Sequence, residues 1–288
     1  MPKKIIIFGA SGMLGSALVP ELKSHGHSVM APDFPGLDIR DAQKILEYVK
    51  AHGPDAIVNA AGFTQVDRCE TEKELAFELN GQALKNIAEA ANRSGCVVFH
   101  ISSDYIFSGS KPGEYLEDDA PGPLSIYGKS KLLGEENVKN RANNFCIIRT
   151  SWLFGPGGDN FVTKLLKKSR EFEGELKVVS DERGRPTFSR DLAQIIRLAV
   201  EKELRGIYHF CNQGVVSWFE YAGEIFEILG EGRKLVPVSA REYGLPAQRP
   251  KNSALSTRKI EKDLGLEIRH HREALLEYMP LLKAATVK

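Results

Sequence analysis

Tyr127 and Lys131 stand four residues apart in a run, Leu124 to Asn140, that reads as a helix. Side chains at that spacing leave the same helix face, so a phenol and an ammonium can converge on one point. A free tyrosine titrates near pH ~10, and nearby positive charge is what brings its proton within reach of neutral chemistry. A hydroxyl is then wanted to hold a reacting oxygen beside the phenol, and Ser103 follows directly on the apolar run Cys96 to Ile101, which reads as a strand. A Tyr-x-x-x-Lys pair by itself also fits an amphipathic surface helix, so its meaning rests on the elements around it.

Those elements begin at the amino terminus. Ile5 to Phe8 is an apolar run suited to a strand buried on both faces, and Met13, Leu14, Ala17, Leu18 and Leu22 recur at helical spacing. Between them stand Gly9, Gly12 and Gly15. At a strand-to-helix turn, Gly9 can adopt angles closed to other residues, Gly12 lets backbone approach a ligand, and Gly15 permits close helix-to-strand packing. Free N–H groups and the positive end of a helix dipole at such a turn suit a phosphate. The short strand Ser28 to Ala31 leads to Asp33, roughly 20 residues beyond the glycines, where a carboxylate can accept hydrogen bonds from an adenosine ribose. Asp38 is placed to meet an adenine amino group and Ile39 its face, while Asp41 reads as an N-cap. The strand Ala56 to Asn59 ends in the small residues Ala60, Ala61 and Gly62, at the edge where parallel sheets open their crevice. A dinucleotide, NADPH or NADH, is the implied cofactor, and its oxidised nicotinamide adds a second positive charge beside Tyr127.

The chain alternates strands and helices, which predicts an α/β protein with a Rossmann-like, doubly wound parallel sheet. Residues 1–150 form the expected dinucleotide-binding domain, with 188–212 returning to it. Residues 151–187 and 213–288, interrupted by Gly155-Pro156-Gly157-Gly158 and Gly184-Arg185-Pro186, form a smaller C-terminal substrate-binding lobe. Lys73 to Ser94 reads as one long helix. With 288 residues, 42% hydrophobic and a net charge of +1, the chain offers no general attraction to nucleic acid or to a membrane surface. Cys69, Cys96, Cys146 and Cys211 show no Cys-x-x-Cys pair, which favours reduced thiols and a cytoplasmic location. The histidines form no ligand cluster, and no metal is expected.

Three motif sets extend this reading. The glycine turn, Ser103 and the Tyr127/Lys131 pair occur in the order and spacing of the extended short-chain dehydrogenase/reductases. Val58 to Glu70, Ser102 to Phe107, Tyr127 to Lys131, Arg149 to Trp152, Asn160-Phe161, Asp181 with Gly184 and Pro186-Thr187, and Arg249 to Ser253 together resemble the dTDP-4-dehydrorhamnose reductase family over almost the whole chain. That resemblance implies reduction of the C4 keto group of dTDP-4-dehydro-L-rhamnose. Tyr127 would donate the proton, Lys131 would lower its pKa and hold the nicotinamide ribose, and Ser103 would orient the carbonyl. Asp104 and Trp152 would contact the sugar nucleotide; Gly62, Phe63 and Thr64 would line the cofactor beside Gly12, Met13 and Leu14. A homodimer is a further expectation.

The chain departs from the family at Ser103, where Thr is frequent, and at Phe63, where a polar residue or His is frequent. Asp33 should repel a 2′-phosphate, although the family commonly accepts NADPH. Trp152 also fits a core aromatic, and Trp218, in a capping segment, reads as packing. Two other functions stay open: another nucleotide-sugar reductase or epimerase, and a regulatory subunit that binds dinucleotide with little turnover.

Overall fold

The computed structural model describes residues 1–286, and side chains as far as Leu282. Its centre is a six-stranded sheet made of β1 (Lys4–Phe8), β2 (Ser28–Met30), β3 (Ala56–Asn59), β4 (Val97–Ser103), β5 (Phe145–Thr150) and the strand Gly206–His209. All the pairings are parallel, and the order across the sheet is Gly206–His209, β5, β4, β3, β1, β2. The sheet is thus the doubly wound one expected, with β2 ending at Met30, one residue short.

Alternation along β1 explains the two layers. Ile5 and Ile7 face a cluster shared with Leu14, Leu18 and Leu22 of the first helix, Met13–Ser24, and with Leu192 and Ile196 of the helix Ser189–Glu201. Ile6 and Phe8 face the other cluster, with Ile45 and Val49 of the helix Ala42–His52, Leu84 and Ile87 of Ala83–Ser94, and Val138 of Ile126–Arg141. Period-two alternation therefore buries both faces of the sheet.

Strand order reverses between β1 and β3, and both strands end there in glycine-rich backbone. Gly9 has φ of 82°, and a Cβ on it would lie 2.5 Å from the Ala61 nitrogen. A Cβ on Gly15 would lie 2.2 Å from the Gly9 oxygen, so the first helix reaches its strand only because both residues lack side chains.

The helix expected over Lys73 to Ser94 is present and contains a π turn, Glu78–Gln82, between Lys73–Phe77 and Ala83–Ser94; a short helix, Val66–Thr71, precedes it. The extra residue of such a turn shifts one side chain out of helical register. Here it accompanies Asn80, which is buried against the strand ends.

Beyond β5 the chain builds a third apolar cluster around Phe154, Phe188, Tyr221 and Tyr278. The helix Trp218–Leu229 starts in the predicted capping box, with Ser217 and Glu220 satisfying each other's backbone N–H groups. Leu176–Val179 and Leu235–Val238 pair as a separate two-stranded parallel sheet. Among the described residues no helix is long and apolar enough to cross a membrane, and no group of three or more His, Cys, Asp or Glu side chains could hold a metal ion.

Candidate active site

A cavity of about 440 Å³ opens at the carboxyl ends of β1, β3, β4 and β5. Gly12, Met13 and Leu14 form one end of it. Gly12 is the N-cap of the first helix and no side chain caps it, which leaves first-turn N–H groups for an anion. Gly62 and Thr64 line the neighbouring wall, so both glycine-rich turns meet the same space. This cradle of side-chain-free backbone fits the pyrophosphate of a dinucleotide.

Ser103, Asp104, Tyr127 and Lys131 converge on the other end. The helix that presents the last two, Ile126–Arg141, is started by the Ser125 side chain, which accepts from the Gly128 N–H. It can lie close to Tyr105 because residue 128 is glycine: a Cβ there would sit 2.2 Å from the Tyr105 carbonyl oxygen. Burial pushes the Tyr127 phenol well above its usual range, and the hydrogen bond with Ser103 opposes the rise. The tyrosine is therefore protonated across the physiological range, the form a proton donor needs. Burial pulls the Lys131 ammonium down to about 8, against the charge of Glu135 one turn later on the same helix. Its Nζ donates to the Ile101 carbonyl at 2.7 Å.

Asp104 is 2% exposed, and burial raises its carboxyl to about 7, against hydrogen bonds with Ser253 and Ser103. The Ser103 hydroxyl donates to Asp104 Oδ1 at 2.9 Å and accepts from the Tyr105 N–H at 3.2 Å.

Other expected site residues lie elsewhere. Gly9 and Gly15 shape the turn from beneath, as their tight backbone approaches require. Asp33 is exposed on the loop after β2. Asp38 lines a separate surface cavity of about 860 Å³ with Arg40, Lys44 and Lys85, and its carboxylate is held by Arg40, with Nη2 at 2.6 Å from Oδ2. The Ile39 side chain is 7% exposed and packs into the core, which leaves it no face to offer an adenine. Phe63 is 9% exposed and turns toward Cys69 and Ala76, so its ring is directed away from the cavity.

Two residues take roles that the sequence concealed. Trp218 does not merely pack: it stacks on Trp152 at 3.3 Å and 6°, and both indoles line the cavity. Asn80 holds the Gly62–Phe63 turn, its Oδ1 accepting from the Phe63 N–H at 2.7 Å and its Nδ2 donating to the Phe63 carbonyl and to Ser130 Oγ, each at 3.0 Å. The capping pattern drew attention away from Trp218, and Asn80 sat in what read as an unbroken helix.

A second cavity, about 420 Å³, adjoins the first and shares Tyr105, Phe161 and Trp218 with it. It carries Lys164, Lys168, Lys177 and Arg249. Arg249 reaches across to Asp67, with Nη1 to Oδ1 at 3.2 Å and Nη2 to Oδ2 at 2.9 Å.

A doubly wound sheet with an anion-binding glycine turn and a Ser–Tyr–Lys constellation at its crevice defines a Rossmann-fold protein of the short-chain dehydrogenase/reductase class. Residues 3–283 match a family model described as the RmlD substrate binding domain, and the chain belongs to that family. It is 42% identical over 276 residues to the spore coat polysaccharide biosynthesis protein SpsK of Bacillus subtilis (strain 168), covering 96% of each chain. It is 36% identical over 287 residues to a dTDP-4-dehydrorhamnose reductase of Aggregatibacter actinomycetemcomitans, covering 94% of this chain and 97% of the other. Among solved structures, the dTDP-4-dehydrorhamnose reductase of Bacillus anthracis str. Ames, in complex with NADP, superposes with a TM-score of 0.93 at 36% identity, covering 96% of this chain and 99% of that one. A UDP-glucose 4-epimerase of Thermus thermophilus, in complex with NAD, shares the fold at a TM-score of 0.83 and 19% identity, covering 96% of this chain and 97% of that one.

Proposed function

We propose that the protein is an NAD(P)H-dependent oxidoreductase that reduces the C4 ketone of dTDP-4-dehydro-L-rhamnose to dTDP-L-rhamnose. The observation that carries this reading is the convergence of Ser103, Tyr127 and Lys131 on one cavity whose far end is the uncapped helix after Gly12. The first-turn N–H groups and Gly62 would hold the dinucleotide, which supplies the hydride. Ser103 holds the ketone oxygen, and as the carbonyl carbon gains hydride, the π electron pair moves to that oxygen and takes the Tyr127 proton. Lys131 stabilises the phenolate left behind.

The sugar nucleotide would span both cavities. Its keto-sugar lies beside Tyr127 under Trp152, and its diphosphate and base extend past Phe161 and Trp218 toward Lys164, Lys168 and Arg249, a basic and aromatic lining suited to a nucleotide. All four cysteines are buried and free, in keeping with a reducing cytoplasm.

Incubation with dTDP-4-dehydrorhamnose and either NADPH or NADH tests the proposal. Reduced-dinucleotide absorbance falls and dTDP-L-rhamnose accumulates; no loss with either cofactor overturns it, and a different sugar product redirects it to another nucleotide-sugar reductase.

A further inference from the structure

We propose that His100 is a positioning residue for this reduction, presenting a neutral imidazole Nε2 lone pair that holds the Lys131 ammonium charged and aimed at the crevice. The inference rests on the reductase reading for its meaning, and on packing for its support.

His100 lies on β4, directly opposite Asn59 of β3, and both are fully buried. An apolar side chain would fill that position at no electrostatic cost, whereas a buried imidazole needs partners. It has two. Nε2 is 3.5 Å from Lys131 Nζ, at the long end of hydrogen bonding, and Nδ1 is 3.2 Å from Asn59 Nδ2. Turning the Asn59 amide over sets its otherwise unpartnered Oδ1 against Nδ1, where it accepts the ring N–H. That tautomer leaves the lone pair on Nε2, facing the ammonium. With Ile101 accepting a second N–H, Lys131 keeps its third for the crevice.

The approach of helix to strand is permitted by Gly134. A Cβ there would lie 2.2 Å from the Asn80 carbonyl oxygen and in ordinary contact, 3.5 Å, with His100 Nε2, so any larger residue would push the helix off the π turn and shift Lys131 relative to β4. The groups that bear on the ammonium are few. Glu135 comes from its own helix, and His100 and the Ile101 carbonyl come from β4. Glu135 is itself fully buried and taken up by Arg149, whose Nε and Nη2 bond its two oxygens at 2.9 and 2.8 Å. With that carboxylate shared, the Ile101 carbonyl and His100 are the neutral acceptors that hold the charge. Burial and the neighbouring ammonium keep the imidazole well below its ordinary range, so it stays an acceptor at working pH.

The test compares His100→Gln, which keeps an acceptor of similar reach, with His100→Asn, whose shorter amide falls short, and His100→Phe, which keeps the ring without the lone pair. The readouts are the pH at which Lys131 loses its proton, followed by ¹⁵N NMR of Nζ in the protein alone, and the alkaline limb of kcat/KM. Lys131 is expected to titrate ~1 pH unit lower in the Asn and Phe variants, with turnover at pH 8 about fivefold lower, and the Gln variant is expected to stay near wild type. Unchanged Lys131 titration in the folded Asn variant overturns the proposal, as does equal impairment of Gln and Asn. If His100→Phe does not fold, the Gln and Asn pair carries the same comparison. The NMR titration needs no substrate, so it stands apart from failure of the reductase assignment itself.

Discussion

On the sheet side of the crevice, Ser103, Asp104 and Lys131 are 6%, 2% and 4% exposed and each is tied by hydrogen bonds to neighbours. On the opposite side, Trp152 and Trp218 meet ring on ring, and Trp152 holds φ of 47°, a left-handed angle that a bulky side chain adopts only under strain. One wall fixes where protons and charge reside. The other offers aromatic surface and shape. Preorganised polar groups act on the transition state, whereas stacking surfaces bind substrate and transition state alike, so damage to the two walls should separate into kcat and KM.

The largest effect is expected from Tyr127→Phe. Removing one hydroxyl leaves the cavity shape and the glycine turn intact, so reduced-dinucleotide binding by fluorescence titration should stay near wild type. Turnover should fall by about 10³-fold, within the ordinary range for loss of a general acid. Turnover near wild type would remove the tyrosine from the proton path and leave the sheet side without its chemistry.

Trp152→Ala sharpens the contrast from the other wall. It removes one of two stacked rings while leaving Ser103, Tyr127 and Lys131 in place. KM for the sugar nucleotide should rise about tenfold, the scale of an aromatic contact and its buried area, with kcat within about threefold of wild type. A fall in kcat at unchanged KM would mean that the indole acts on the reacting centre, and the division between the walls would fail.

The same division governs what the sequence disclosed. Residues placed by local spacing were legible as positions: Gly9, Gly12 and Gly15 at a strand-to-helix turn, Tyr127 and Lys131 on one helix face, and Ser103 at a strand end. Trp218 was not, because its partner Trp152 is distant in sequence and only tertiary packing beside the Phe154 cluster brings the rings together. Asn80 was hidden by a π turn, which apolar periodicity does not register. Ile39 and Phe63 differ in the opposite sense: a motif position marks a stretch of backbone, and burial of Ile39 with Ile45 and of Phe63 with Cys69 shows that the side chain can turn into the core. His100 drew no notice because a histidine inside an apolar strand run has meaning only once β3 and the Lys131 helix are packed beside it.

The smallest effect, and the most direct test of how the sheet side is held, is on stability. Burial raises the Asp104 carboxyl from 3.8 to about 7. Between those values the folded protein binds a proton there that the unfolded chain has lost, so this group's contribution falls as pH rises through the window and is fully lost above pH 7. Asp104→Asn keeps an acceptor for the Ser103 hydroxyl and has no charge to bury. The variant should therefore melt higher than wild type at pH 8, by roughly 3–8 °C, and the difference should shrink toward zero near pH 4. Turnover should fall nonetheless, since an amide oxygen is a weaker acceptor for the Ser103 hydroxyl than a carboxylate. A variant less stable than wild type at pH 8 would show that the hydrogen bonds from Ser103 and Ser253 outweigh burial. Asp104 would then be a stabilising group, where the raised pKa describes a charge kept in the crevice at a cost to the fold.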